Sequence, residues 1–202
     1  DGLNDEEFSL ARLRRAVLNE IHSPELLPFE NGLFEHFSAL IAKVSELGES
    51  VESVQEKKII DIFRLDAERV KYYLQLYLRC RLFKIDKYYV SLLATEESSS
   101  KLSDGEKRYA ANYKKIVARH LTDSFLKDIP ERLRGTEEVK TDVNMVPEPN
   151  LDAPVFCRAL EDIGEVILEQ GAGALDMKKD TVLVLKYKYI RPFLLAKQIE
   201  LL

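Results

Sequence analysis

The chain has 202 residues, 46% hydrophobic and 32% charged, which is enough apolar material for a sizeable core and excludes a chain disordered throughout. Its formal net charge of −5 argues against stand-alone binding to a phosphate backbone, because that affinity comes from neutralising phosphates. No apolar run approaches the roughly 20 residues of a membrane span, and the acidic start Asp1–Phe8 lacks the basic and apolar segments of a secretory leader.

Asn4-Asp5-Glu6-Glu7 reads as a helix start, with acids favourably placed in the first turn. Phe8, Leu10, Leu13, Val17, Leu18 and Ile21 carry that helix to His22, and Ser23-Pro24 with Pro28 turns the chain. A second helix spans about Gly32 to Val54. Leu33, Phe37, Leu40, Ile41, Val44 and Leu47 form its single apolar stripe, and Gly48–Ser53 is a place to fray or kink. Asp61–Leu93 follows without Gly or Pro. Read as one helix it is roughly 50 Å long at 1.5 Å per residue, against a radius of gyration of about 16–17 Å for a compact domain of this length. One seam holds Ile59, Phe63, Val70, Leu74, Tyr77, Leu78, Ile85, Tyr88 and Leu92. A second holds Ile62, Leu65, Tyr72, Leu76, Cys80 and Phe83. A rod with two apolar seams needs more partners than a small domain supplies.

Glu96–Ser100 is a polar break. Ser103-Asp104-Gly105-Glu106 is a capping box opening a fourth helix to about Thr122, with Tyr109, Tyr113, Ile116, Val117 and His120–Leu121 as its inner face. Phe125–Pro130 resembles a short helical turn. Glu131–Met145 loses periodicity and reads as a linker, stiffened by Val146-Pro147-Glu148-Pro149. Beyond Asn150 the pattern becomes β-like. Val155–Leu160, Glu165–Leu168 and Thr181–Leu185 read as strands, Tyr189–Leu195 as a helical turn interrupted by Pro192, and Gln198–Leu202 as a closing strand. The expected fold is mainly α: residues 1–130 form a helical bundle-like domain with a long central helix, 131–149 a linker, and 150–202 a small β-rich domain. A β-module that small is marginal alone and is expected to dock on something.

The residues give no enzymatic signature. Gly171-Ala172-Gly173 lacks the third Gly, the Lys and the following helix of a nucleotide loop, and reads as a hairpin turn. His22, His36 and His120 lie on three helices without ligand spacing, so no metal site is expected. No nucleophile elbow is present. Glu161-Asp162 and Glu137-Glu138 sit in polar, solvated segments. No cofactor is expected. Cys80 and Cys157, far apart in sequence, with no Asn-x-Ser/Thr acceptor, point to a reducing intracellular compartment.

Two readings of the long helix compete. Seven basic residues (Arg64, Arg69, Lys71, Arg79, Arg81, Lys84, Lys87) stand against four acids in Asp61–Tyr89, interleaved with tyrosines. They allow a direct DNA-binding surface. The favoured alternative is a packed helix whose Arg and Tyr bridge neighbouring subunits, where both types are enriched.

Glu68-Arg69-Val70-Lys71-Tyr72-Tyr73-Leu74 and Tyr77-Leu78-Arg79-Cys80-Arg81-Leu82-Phe83-Lys84-Ile85 resemble the signature of the Sld-five subunits of the GINS complex. Val146–Asp152 with Val155-Phe156, Lys186–Pro192 and Ile199-Glu200-Leu201-Leu202 are similar to that family's entry into its β-module and its C-terminal end. The resemblance runs collinearly from about Leu10 to Leu202. It implies a nuclear, non-catalytic subunit of a four-protein assembly, with a helical domain followed by a small β-rich one. Its partners would be three sister subunits and, through the complex, the MCM ring and Cdc-forty-five in the replicative DNA helicase; DNA would be met only indirectly. Family members often carry an acidic N-terminal extension holding an adaptor-binding motif, in whose place only Asp1–Glu7 stands here. Ala196-Lys197-Gln198 occupies a position where the family pattern leads one to expect a Gly-containing turn. The expected subunit contacts are Tyr72, Tyr77, Arg79, Arg81 and Phe83 on the helix, and Val155, Phe156, Leu183, Leu185 and Leu202 in the β-module.

Overall fold

The computed structural model describes residues 9–50, 53–136, 139–140, 143–167 and 174–202. The chain is mainly helical with a small antiparallel β-region at its C-terminal end. Helix α1 is Leu10–His22, α2 Asn31–Ser50, α3 Val54–Ala94, α4 Glu96–Ser100 and α5 Asp104–Ser124. Two 3₁₀ turns, Leu126–Asp128 and Glu131–Leu133, follow. Strands are β1 Val139–Lys140, β2 Val143–Asn144, β3 Pro154–Ala159, β4 Gly164–Ile167, β5 Ala174–Met177, β6 Val182–Lys186 and β7 Ile199–Leu201, with helix α6, Tyr187–Leu195, between the last two. The expected acidic helix start at residues 4–7 and the Gly171–Gly173 turn lie outside the described residues. Helix α1 is capped by Ser9, whose Oγ accepts from the Arg12 N–H at 3.3 Å.

The chain divides into two compact units. The first holds residues 1–23, 30–80 and 151–202; the second holds 24–29 and 81–150.

In the first unit the apolar stripes of α1, α2 and α3 are buried over only part of their length. Leu13, Val17, Leu33, Phe37, Val70, Leu74 and Tyr77 are buried, and Leu13, Leu33, Leu74 and Tyr77 line one shallow cleft. Further along, Leu40 and Leu47 of α2 and Ile59 and Phe63 of α3 are exposed. A Cβ on Gly48 would meet the Arg64 guanidinium at 2.7 Å, so the small residue leaves room for that side chain to cross α2.

The β-module belongs to this first unit. Strand β3 is central, flanked antiparallel by β6 and β7. Its alternation places Val155, Cys157 and Ala159 inward and Phe156 outward. Cys157 is fully enclosed, its Sγ 3.6 Å from the Leu183 carbonyl, and burial pushes its thiol above the ordinary value. The module docks on α1: the Leu201 N–H donates to Asn19 Oδ1 at 2.8 Å, and Arg15 pairs with Glu200 at 2.9 Å. Helix α6 runs through Pro192 because Tyr187, Ile190 and Leu194, at helical spacing, are all buried; packing outweighs the missing N–H. Lys197, with φ 62°, takes the left-handed conformation that favours glycine. Strands β4 and β5 form a separate hairpin, started by Gly164 at φ 81°. Strand β5 was not foreseen, since Ala174-Leu175-Asp176-Met177 has no β-branched residue.

In the second unit Leu26, Ile85, Tyr88, Leu92, Leu102 and Ala110 form the core. Tyr88 has φ −116° and ψ 16°, a break in helical geometry inside α3. The expected polar break at Glu96–Ser100 is a one-turn helix, because Thr95 caps it by accepting from the Ser98 N–H and two acids begin it. The capping box at Ser103 is present. The inner face expected for α5 is not: Ile116 is 65% exposed, and Glu106 and Ala110 are the buried residues.

Candidate assembly interface

Helix α3 has no Gly or Pro, and its side chains follow the helical period from Val54 up to the break at Tyr88. The first seam is covered from Val70 onward. The second is open at four of its six positions: Ile62, Leu65, Tyr72 and Phe83 are 62, 70, 61 and 71% exposed, while Leu76 and Cys80 are half-buried. Single exposed apolar side chains are ordinary on a protein surface, whereas these four recur along one seam.

Tyr72 stands in this open seam, edge-on to Tyr73 with ring centroids 5.8 Å apart. Arg79 is exposed. Tyr77 is instead buried, and its hydroxyl accepts from the Glu30 N–H at 3.3 Å.

Arg81, expected to reach a sister subunit, is turned fully inward. Its Nε and Nη2 pair with the two Glu106 oxygens at 2.7 and 3.0 Å. Nη1 donates to the Leu27 carbonyl at 2.7 Å and Nη2 to the Lys101 carbonyl at 2.9 Å. The Phe29 ring lies 5.1 Å from the guanidinium carbon. Glu106 also accepts from the Ser103 N–H at 2.9 Å, so one carboxylate serves both the helix cap and the buried cation. Lys84 donates to the Glu25 carbonyl, and Lys101 pairs with the Glu25 carboxylate. The planar fork of Arg matches this set of acceptors and the ammonium of Lys does not. The spacing of Arg81 and Glu106 in sequence, on two separate helices, gave no sign of the pair.

The basic residues of α3 do not line up as one open stripe. Arg81 and Lys84 are buried, and Arg64, Arg69 and Lys71 each stand beside an acid one turn away. That weakens the DNA-binding reading of this helix.

In the β-module, Val155 is buried opposite Leu185, and Leu183 and Leu185 are half-buried on the same inner face. Leu202 is half-buried, its N–H bonded to the Phe156 carbonyl at 3.1 Å. Of the five residues expected to dock outward, only Phe156 is exposed, at 58%. Val184 lies directly opposite it, and Val182 and Val184 are 52 and 53% exposed. Those two valines were missed, because Val182–Leu185 is apolar throughout and only its register with β3, Val184 opposite Phe156, shows which residues turn outward.

Among the described residues no cluster of His, Cys, Asp and Glu suits a metal, and no helix is long and apolar enough to cross a membrane.

The sequence matches two family profiles, the "GINS complex protein helical bundle domain" over residues 53–125 and the "DNA replication complex GINS protein SLD5 C-terminus" over 149–202. It is 30% identical to the DNA replication complex GINS protein SLD5 of Arabidopsis thaliana, an alignment covering 94% of this chain and 89% of that one. The Dictyostelium discoideum protein of the same name is 29% identical, with 98 and 94% covered. The Homo sapiens protein is 27% identical, with 96 and 88% covered.

Proposed function

Because the chain belongs to the SLD5 family of GINS complex proteins, we propose that it is a non-catalytic structural subunit of a GINS heterotetramer, acting in DNA replication in the nucleus. Its direct partners are three sister subunits; through them it joins the MCM ring and Cdc-forty-five in the replicative helicase. Its functional division is a helical domain over 1–130, a linker over 131–149 and a β-rich domain over 150–202.

The observation that carries this reading is the open seam of α3. Four large side chains left in water along one helix represent stabilisation not yet realised, roughly 25 cal/mol for each Å² a partner covers. Obligate interfaces of this kind typically bury more than about 2,000 Å². Ile62, Leu65, Tyr72, Arg79 and Phe83 are assigned to subunit contacts, and Phe156 to docking of the β-domain.

The test is light scattering on the chain expressed alone and together with the three sister subunits. A soluble 1:1:1:1 complex, with the lone chain aggregated, supports the reading. A well-behaved monomer that ignores the sister subunits refutes it.

A further inference from the structure

The three-stranded sheet ends on an open strand. Its hydrogen bonds show which way each backbone group points. In β3 the even-numbered residues serve β7: the Leu202 N–H donates to the Phe156 carbonyl and the Leu160 N–H to the Gln198 carbonyl. The odd-numbered residues serve β6: the Ala159 N–H donates to the Thr181 carbonyl at 3.1 Å, and the Ala153 carbonyl accepts from the Tyr187 N–H at 3.0 Å. With Cys157 opposite Leu183 and Val155 opposite Leu185, the bonded residues of β6 are Leu183 and Leu185. The N–H and C=O groups of Val182 and Val184 therefore point away from β3. Among the described residues no strand pairs with that side.

Natural sheets blunt such edges with Pro, a bulge or a central charge. Strand β6, Val-Leu-Val-Leu-Lys, has none of these within its first four residues. Its even-numbered side chains are exposed and its odd-numbered ones only half-buried.

We propose that the free edge of β6 receives an extended segment of a partner protein as a fourth strand. The ladder of open N–H and C=O groups requires an extended backbone. The side chains on the outer face set its chemistry. Val182 and Val184 call for apolar residues at two alternate positions, and exposed Lys186 calls for a carboxylate at the next, since directly opposed residues of opposite charge stabilise a pair of strands. Asp152, 62% exposed, stands 3.7 Å from Lys186 and 2.9 Å from Lys188, and an opposed carboxylate would join it at this cationic end of the strand. The proposal does not depend on tetramer assembly.

The test titrates the full chain with a blocked peptide, Thr-Glu-Thr-Val-Thr-Val-Thr, whose antiparallel register sets Glu against Lys186 and the valines against Val184 and Val182. Amide exchange is read residue by residue. The expected result is about tenfold slower exchange or more at the Val182 and Val184 amides, with Leu183 and Leu185 unchanged. Replacing the peptide's Glu by Lys should weaken binding several-fold. Methylating the amide of the valine facing Val184 should abolish it, a control that leaves the protein untouched. Val184→Pro, which removes an N–H that β3 does not use, should also abolish it. The proposal is overturned by unslowed exchange at millimolar peptide, or by unchanged binding of the methylated peptide. It is equally overturned if those two amides are already slow in the free chain, or slow with protein concentration alone, which would make a second copy the occupant.

Discussion

Two stretches of α3 treat charge and apolar surface in opposite ways. Around Arg81 the charge is inside: guanidinium, carboxylate and two backbone carbonyls bond one another away from water. Between Ile59 and Tyr72 five large apolar side chains, Ile59, Ile62, Phe63, Leu65 and Tyr72, are outside while Val70 is buried, and the charges lie beside them in exposed pairs one turn apart. The first arrangement closes a core within the chain. The second leaves large apolar side chains in water, the surface proposed above for a sister subunit. Arg79 and Arg81, two residues apart in one motif, fall on opposite sides of this divide, and substituting them separates the two roles.

The largest effect is expected at Arg81. Arg81→Ala leaves the Glu106 carboxylate buried without its cation, a loss of about 3–5 kcal/mol by the usual cost of breaking a buried pair from one side. Urea unfolding of the chain measures it. Arg79→Ala should change the same quantity by less than about 0.5 kcal/mol. Equal losses at the two positions would erase the distinction.

Leu65→Asp with Tyr72→Asp probes the other side. It should weaken assembly with the sister subunits by about 3 kcal/mol or more, since two large side chains lose their burial, with little change in the unfolding of the lone chain. Co-expression followed by light scattering reads the first effect, and urea the second. A destabilised lone chain would place that seam in the intramolecular core instead.

Ser103→Ala should cost about 1 kcal/mol, the usual loss on removing a helix cap. Its excess over that figure would report how far Glu106 depends on Ser103 for its position against Arg81.

Lys197→Gly should raise stability by about 0.5 kcal/mol, because glycine relieves the left-handed backbone while only an exposed ion pair to Glu30 is lost.

The smallest expected effect is at Tyr109. Its hydroxyl donates to Asp86 Oδ1 at 2.8 Å, and that hydrogen bond, with burial and the carboxylate charge, raises its pKa above the ordinary 10.0. The contribution is fully present below pH 10 and lost as pH rises through the raised value. Tyr109→Phe should flatten the alkaline limb of the stability profile, and an unchanged limb would exclude the residue as its source.

Element identity was largely legible from the sequence, while the direction of individual side chains was legible only where one period governed them. The long helix, the capping box at Ser103 and four of the five strands beyond Asn150 follow from local pattern. The second seam was legible as apolar, and only the structure shows that Ile62, Leu65, Tyr72 and Phe83 within it are exposed. Arg81 was misassigned because one motif supplies both an inward and an outward arginine, and only Glu106, 25 residues away, decides which is which. The inner face of α5 was misjudged because its buried residues, Glu106 and Ala110, lie in the first two turns, ahead of most of the apolar residues expected to line it. Val182 and Val184 were overlooked because all of Val182–Leu185 is apolar, and only the pairing with β3 shows which residues turn outward.

Cys157 gives the β-module an internal clock. A thiol sealed inside β3 and held protonated by its surroundings reacts with an alkylating reagent only while the sheet is open. Cys80, half-buried on α3, is reached more readily. The ratio of the two labelling rates in the native sequence therefore times how often the sheet opens, with no reporter added.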